Sequence, residues 1–251
     1  WRAKKIATVM DGLFCLFPFE PDYFKPFGLD AHFIGHPEAF GNFLPANPAG
    51  ETIEETRVES SNIILLPGSR RSEISLILPE MLAATAIIKR HDPNLNFVLP
   101  AVPHLLPLIE SLVEGSGVTI LDQPEDLIPA LQTSDAMIAT SGTITLQAAL
   151  CGTVGVTCYI TSAFSGFIGR RLVDLDKVIL PNVILGRPLY PFYFQEVVTG
   201  KTLAAATLDC LYDANAKSNA RHAAIELKSL LTGGAQSFDE LVIRALKNWL
   251  D

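Results

Sequence analysis

From residue 62 the chain alternates short, wholly apolar runs with longer stretches in which apolar residues recur every three or four positions. Ile63-Ile64-Leu65-Leu66 has the pattern of a strand covered on both faces. A helical stretch follows from about Ser72 to Arg90, then a strand over Leu95 to Leu99 and a helix after Pro103. Val118 to Leu121 and Met137-Ile138-Ala139 are the next strands, and Thr143 to Leu150 reads as helix. Val154 to Tyr159 is a fifth strand, followed by a helix through Leu172 and a last strand at Val178-Ile179-Leu180. Strand alternating with helix at this spacing predicts right-handed crossovers. The expected fold class is α/β, a Rossmann-like parallel sheet with helices on both faces.

The ends of the chain break this rhythm. Residues 1–36 read as a short basic helix and two apolar strands, Leu13 to Phe17 and Phe33-Ile34-Gly35. So few strands suggest a remnant of another domain. Residues 37–61, punctuated by Pro37, Pro45, Pro48 and Gly50, read as a linker or surface loop. The regular domain then covers 62–214, and 215–251 is helical. Phe238, Leu241, Val242, Ala245, Leu246 and Trp249 share one helical face, and Ser237 with Glu240 suits a capping box. That face is expected to dock on the domain's own core, on a second domain or on a second subunit.

Composition narrows the functional classes. A formal net charge of -8 argues against nucleic acid as the main partner. Cys15, Cys151, Cys158 and Cys210 form no C-x-x-C pair and no zinc spacing with histidine, as expected of reduced thiols in a cytosolic protein. No apolar run is long enough to span a bilayer.

Three segments carry candidate chemistry. Leu66-Pro67-Gly68-Ser69-Arg70-Arg71-Ser72-Glu73 lies where a strand ends and a helix begins. Gly68 lets backbone approach a ligand, Ser69 adds a hydroxyl, the helix start favours an anion and the Arg70 fork suits two phosphate oxygens. It is neither a Walker A motif nor G-x-G-x-x-G. Ser141-Gly142-Thr143 opens a second helix after a strand, with Gln147 one turn further in, within reach of a ribose or sugar hydroxyl. Two such turns at strand ends of one parallel sheet would flank a common crevice. Pro181-Asn182 and Gln195-Glu196 offer weaker candidates for sugar hydroxyls.

Taken in order, these segments resemble the lipid-A-disaccharide synthase family. Trp1-Arg2 with Lys4-Lys5, Phe17-Pro18-Phe19-Glu20 and Phe33-Ile34-Gly35-His36-Pro37 are similar to its W-A-W-R-x-x-R, L-P-F-E and F-I/V-G-H-P stretches. Leu66 to Arg70 with Glu73, Ser141-Gly142-Thr143, Leu180-Pro181-Asn182, Gly186-Arg187 and Gln195-Glu196 follow its remaining motifs. Gln147 stands where the family usually has Glu, and Phe192 where it tends to have an acidic residue.

The resemblance implies the C-terminal half of a GT-B glycosyltransferase, with 62–214 as the nucleotide-sugar domain, 1–36 from the acceptor domain and the C-terminal helices packing back across both. It implies transfer of a diacylated glucosamine from UDP to a diacylglucosamine 1-phosphate, releasing UDP. The substrate-binding residues would be Gly68, Ser69, Arg70, Glu73, Ser141, Gly142, Thr143, Gln147, Asn182, Gln195 and Glu196, with Arg70 stabilising the leaving diphosphate and no metal or cofactor. The family's N-terminal domain, with the acceptor site and general base, is expected before Trp1. The base is therefore expected outside this chain, which alone would bind nucleotide without catalysing transfer. A cytoplasmic location follows, at the inner face of the inner membrane of a Gram-negative bacterium, with the terminal helices offering a homodimer surface. Another UDP-sugar transferase or epimerase of the same architecture, or an inactive nucleotide-binding fragment, are the alternatives.

Overall fold

Helix α1 (Arg2–Ala7), strand β1 (Gly12–Cys15), helix α2 (Glu20–Phe24) and strand β2 (Asp30–Phe33) open the chain in the computed structural model, which describes residues 2–41, 43, 61–161 and 178–250. β1 and β2 pair in parallel, from Gly12 opposite Asp30 to Cys15 opposite Phe33. One Glu20 carboxylate oxygen accepts the Leu16 and Phe17 N–H groups, each at 3.0 Å, and so fixes the turn that leaves β1. Gly35 has φ +78, and a Cβ there would lie 2.7 Å from Leu241 Cδ1 and 2.9 Å from the Leu231 carbonyl oxygen. Only glycine fits that turn. The next N–H, of His36, donates to that same carbonyl at 2.9 Å, while its ring stacks on Phe17. Residues 37–40, expected to belong to a loop, instead form a 3-10 turn with Ala39 buried, because Pro37 starts a helical turn readily. The rest of the expected linker, 44–60, lies outside the described residues.

The regular region then runs β3 (Asn62–Leu66), α3 (Arg71–His91), β4 (Asn96–Pro100), α4 (Leu106–Val113), β5 (Thr119–Leu121), α5 (Leu127–Thr133) and β6 (Ala136–Thr140). It continues with α6 (Ile144–Leu150), β7 (Gly155–Tyr159), α7 (Leu180–Leu185), β8 (Phe192–Phe194) and α8 (Gly200–Tyr212). The strands form a six-stranded sheet in the order β5-β4-β3-β6-β7-β8, every pair parallel. Helices cover both faces. Strand addition proceeds outward from β3 to β5, then returns to the other side of β3 at β6. This is the doubly wound arrangement, with its switch point between β3 and β6. Ile63 and Leu65 of β3 and Ile138 of β6 are fully buried, as are Ile74, Ile77, Leu78 and Met81 on one face of α3.

Two sequence expectations change here. Val178-Ile179-Leu180 is not a strand: residues 178–179 bend, and Leu180 starts α7 with Pro181 in its first turn. Proline has no N–H for a ladder, and its fixed φ suits a helix start. The sixth strand is β8, inside the apolar tract Tyr190 to Phe194. The helix expected through Leu172 lies outside the described residues.

Helices α9 (Ala214–Thr232) and α10 (Phe238–Leu250) complete the chain. Contact divides the chain into two units, Trp1–Phe43 with Ile225–Asp251, and Leu44–Ala224, so the boundary falls inside α9 rather than before it. Leu241 and Ala245 of α10 are buried with Ile34 and pack against Phe14, Phe40 and Phe238. The Trp249 ring stacks on Phe14 at 4.5 Å, and its indole N–H donates to Asp30. The apolar stripe of α10 thus docks on the β1–β2 layer, although Leu246 at its margin is exposed. Ser237 Oγ accepts the Glu240 N–H, and the Glu240 carboxylate accepts the N–H of Gln236, one residue outside the expected box. Among the described residues, no helix is long and apolar enough to cross a membrane.

At the start of α8 a Cβ on Gly200 would come within 2.5 Å of Ala83 Cβ in α3. Gly200→Ala is expected to lower stability by about 1–3 kcal/mol in urea unfolding, and an unchanged midpoint would refute the close approach of the two helices. Burial holds the His36 imidazole below its ordinary pKa, against the opposing pull of Glu38 and Glu20. The unfolded chain therefore takes up the proton first as pH falls through about 6.5, and stability is lost from there downward, while above that value His36 contributes no pH dependence. His36→Phe should shrink the stability loss between about pH 7.5 and about pH 5.5, measured by denaturation at both.

Candidate functional site

The first candidate turn joins β3 to α3. Gly68 there has φ +103, and a Cβ on it would sit 2.5 Å from Glu73 Oε2 and 3.2 Å from Glu73 Cβ. The absent side chain thus makes room for a carboxylate from the first turn of α3. Arg70 is the N-cap residue, extended at φ -111 and ψ 141, and its side chain makes no bond to the helix start. Instead its Nη1 donates to Glu73 Oε1 at 2.6 Å, the arginine side chain 74% exposed and the glutamate 10%. Ser69 is exposed beside it. The leading N–H groups of α3 and the Arg70 charge make this turn favourable for an anion.

The second turn follows β6. Leu66 of β3 stands opposite Ala139 of β6 in register, and the Thr140 hydroxyl donates to the Leu66 carbonyl at 3.2 Å. The ends of these strands are therefore tied together, and the turns they feed lie side by side at the switch point. Ser141 N–H donates to the Cys158 carbonyl at 3.1 Å, which fixes the start of the turn on β7. Gly142 and Thr143 are exposed, and Thr143, the N-cap of α6, makes no side-chain bond to the helix start. Gln147 lies one turn further in, half-buried. The fold thus brings Gly68, Ser69, Arg70 and Glu73 to the same edge of the sheet as Ser141, Gly142 and Thr143.

One member of this cluster was not picked out from the sequence. Tyr159 ends β7, and its hydroxyl donates to Glu73 Oε1 at 3.3 Å. Burial, and then the neighbouring Glu73 carboxylate, push the phenol above its ordinary pKa, so it stays a donor at neutral pH. The available signal was an aromatic residue with a polar tip at the carboxyl end of a predicted strand in this sheet.

The amides of Asn182 and Gln195, expected to face sugar hydroxyls, bond to the backbone here. Asn182 Oδ1 accepts the Leu189 and Tyr190 N–H groups, at 2.9 and 3.0 Å, and its Nδ2 donates to the Tyr190 carbonyl at 2.9 Å. Its amide holds the loop that delivers β8. Gln195 Oε1 accepts the Thr161 N–H at 2.9 Å, and its Nε2 donates to the Thr161 carbonyl. The side chain extends the β7–β8 pairing by one rung beyond the strands. Its backbone φ of +59 is the left-handed region that non-glycine residues seldom occupy. Glu196 follows, exposed, in a 3-10 turn over Gln195–Val197. Neither Asn182 nor Gln195 meets the Arg70 cluster through these bonds. Among the described residues, no group of three metal-ligating side chains is placed to hold an ion.

A doubly wound parallel sheet with donor-rich turns at its switch point is Rossmann-like, the form of each half of a GT-B architecture. The solved structures it superposes on agree. A putative UDP-N-acetylglucosamine 2-epimerase from Listeria monocytogenes matches with a TM-score of 0.60 at 14% identity, over 98% of this chain and 60% of that one. The S. aureus MnaA–UDP co-structure matches with 0.60 at 12% identity, over 98% and 61%. The glycotransferase of kitacinnamycin matches with 0.56 at 16% identity, over 94% and 55%. At such identities the likeness is one of fold.

Sequence comparison is more specific. The LpxB family model, lipid-A-disaccharide synthetase, matches residues 1–245. The lipid-A-disaccharide synthase of Burkholderia thailandensis is 39% identical over 217 residues, 84% of this chain and 55% of that protein. That of Burkholderia lata is 36% identical over 252 residues, 98% of this chain and 64% of that protein. The chain belongs to the lipid-A-disaccharide synthase family and spans between about half and two thirds of the length of these relatives.

The geometry separates loop-holding residues from the Arg70 cluster. Asn182→Ala is expected to destabilise the fold by about 1–3 kcal/mol, because it leaves the Leu189 and Tyr190 backbone groups without their partners. Thermal unfolding of the variant measures this, and an unaltered melting temperature would show that water replaces the amide without loss.

Proposed function

We propose that this chain is the part of a lipid-A-disaccharide synthase that holds the sugar nucleotide. It would bind the diphosphate of UDP-2,3-diacylglucosamine between the Gly68–Arg70 and Ser141–Thr143 turns. The observation that carries the reading is the placement of both turns, with Arg70, at the switch point between β3 and β6. The UDP named with the S. aureus MnaA structure of like fold supports it.

In the proposed reaction a hydroxyl of 2,3-diacylglucosamine 1-phosphate attacks the anomeric carbon of the donor. The new β-1,6 glycosidic bond forms as the bond from that carbon to the diphosphate oxygen breaks. The products are the lipid A disaccharide 1-phosphate and UDP, and the hydroxyl proton passes to a general base that no residue of this chain is assigned to supply. Negative charge grows on the departing diphosphate. Arg70 and the N–H groups at the starts of α3 and α6 are aimed at that charge, which is how a fixed polar site lowers a barrier. Ser69 adds a hydroxyl donor to the phosphates, Gln147 reaches a ribose hydroxyl and Glu196 a sugar hydroxyl. A lipid acceptor places the reaction at the inner face of the inner membrane, and the exposed Ile243 and Leu246 of α10 offer a surface for self-association.

Calorimetric titration with UDP tests the reading. Binding is expected, and Arg70→Ala should weaken it by roughly 1.5–3 kcal/mol, the range for a hydrogen bond to a charged group. A folded chain that gives no heat at millimolar UDP would count against nucleotide binding at this site.

A further inference from the structure

We infer that Glu73 and Tyr159 form a fixed seat that holds Arg70 in place for the diphosphate, which makes both of them positioning residues; the inference rests on the nucleotide-sugar reading above. Arg70 is a long side chain, 74% exposed, at the mouth of the site. Left alone, such a side chain samples many rotamers, and each one lost on binding weakens the complex. The arginine end of the pair is exposed and the glutamate end buried, so the contact both satisfies the Glu73 carboxylate and ties down Arg70.

Glu73 is the rigid partner. A glutamate at the third helical position commonly folds back to cap the helix start. Here its Oε1 turns to Arg70 Nη1 at 2.6 Å and to the Tyr159 hydroxyl at 3.3 Å. Its Oε2 occupies space that any side chain on Gly68 would fill, since a Cβ there would meet it at 2.5 Å. The carboxylate is thus confined by a backbone turn on one side and by a tyrosine on another. Tyr159 ends β7, and β6 lies between β7 and β3. Its contact with Glu73 therefore reaches past the end of β6, from which the Ser141–Thr143 turn emerges. Through this seat Arg70 is set relative to both turns. Glu73 engages one guanidinium nitrogen and Tyr159 stands against Arg70 as well, but a guanidinium carries five donors, so donors remain for phosphate oxygens.

Charge alone argues the other way, which makes the inference testable. A carboxylate beside a diphosphate site repels the ligand, so its removal should tighten binding if it does nothing else. UDP is titrated into the parent chain and into Tyr159→Phe, Glu73→Gln, Arg70→Ala and the Arg70→Ala/Tyr159→Phe double variant, with melting temperatures recorded for each. Tyr159→Phe should weaken UDP binding by roughly 2- to 10-fold, the worth of one hydrogen bond. The same substitution should have no further effect once Arg70 is absent. Glu73→Gln should weaken binding although it deletes a negative charge. Tighter binding by Glu73→Gln would mean that the carboxylate only competes for Arg70. An equal loss from Tyr159→Phe with and without Arg70, or no loss at all, would mean that Tyr159 does not act through Arg70. Either result overturns the inference while nucleotide binding stands. Absence of UDP binding by the parent chain removes the reading beneath it, and the inference with it.

Discussion

The parallel pairing of β3 with β6 is the constraint on which the rest of the site depends. Strands added in simple sequence order would leave the chain's turns spread along one edge of the sheet. The return to the other side of β3 places the two donor-rich turns next to each other, with the crossovers leading away from the space between them. The Thr140 hydroxyl on the Leu66 carbonyl ties the strand ends where the turns begin. The buried rows of Ile63, Leu65 and Ile138 below them supply the rigidity.

Side-chain amides carry a second structural duty around that crevice. Asn182 and Gln195 each take up both a backbone N–H and a backbone carbonyl, as another strand would. β8 is only three residues long, so its position depends on such supplements. The left-handed backbone of Gln195 is accounted for by the same bonds: the turn it makes brings the amide back to Thr161. Polar residues in this part of the sheet thus include some that hold its backbone together.

The strands β3 and β6 are legible because a strand covered on both faces is apolar along nearly all of its length, and such runs have few other uses. β8 is not, since Phe192-Tyr193-Phe194 is half-buried at the sheet edge and reads as one more greasy tract. Val178-Ile179-Leu180 has the composition of a strand, but Pro181 belongs to the first turn of a helix. At the site, the two turns were visible because glycine and small hydroxyl residues between a strand and a helix have a local cause. Tyr159 was not, because its role comes from a contact with a residue 86 positions away, which no local pattern records. Asn182 and Gln195 stood out as polar residues, but their backbone partners come from the folded loops.

The contact between Thr140 and Leu66 joins residues 74 positions apart. A crevice assembled over such a span has no counterpart in the unfolded chain, where the two turns drift independently. It comes into being with the long-range strand pairing, which is the slow part of building a parallel sheet. On the proposed reading, a ligand gripped by both turns would recognise the finished fold and nothing earlier, and its occupancy would drain the unfolded population by mass action. In the cell, supply of that ligand would set how much of this chain survives as well as how much of it is at work.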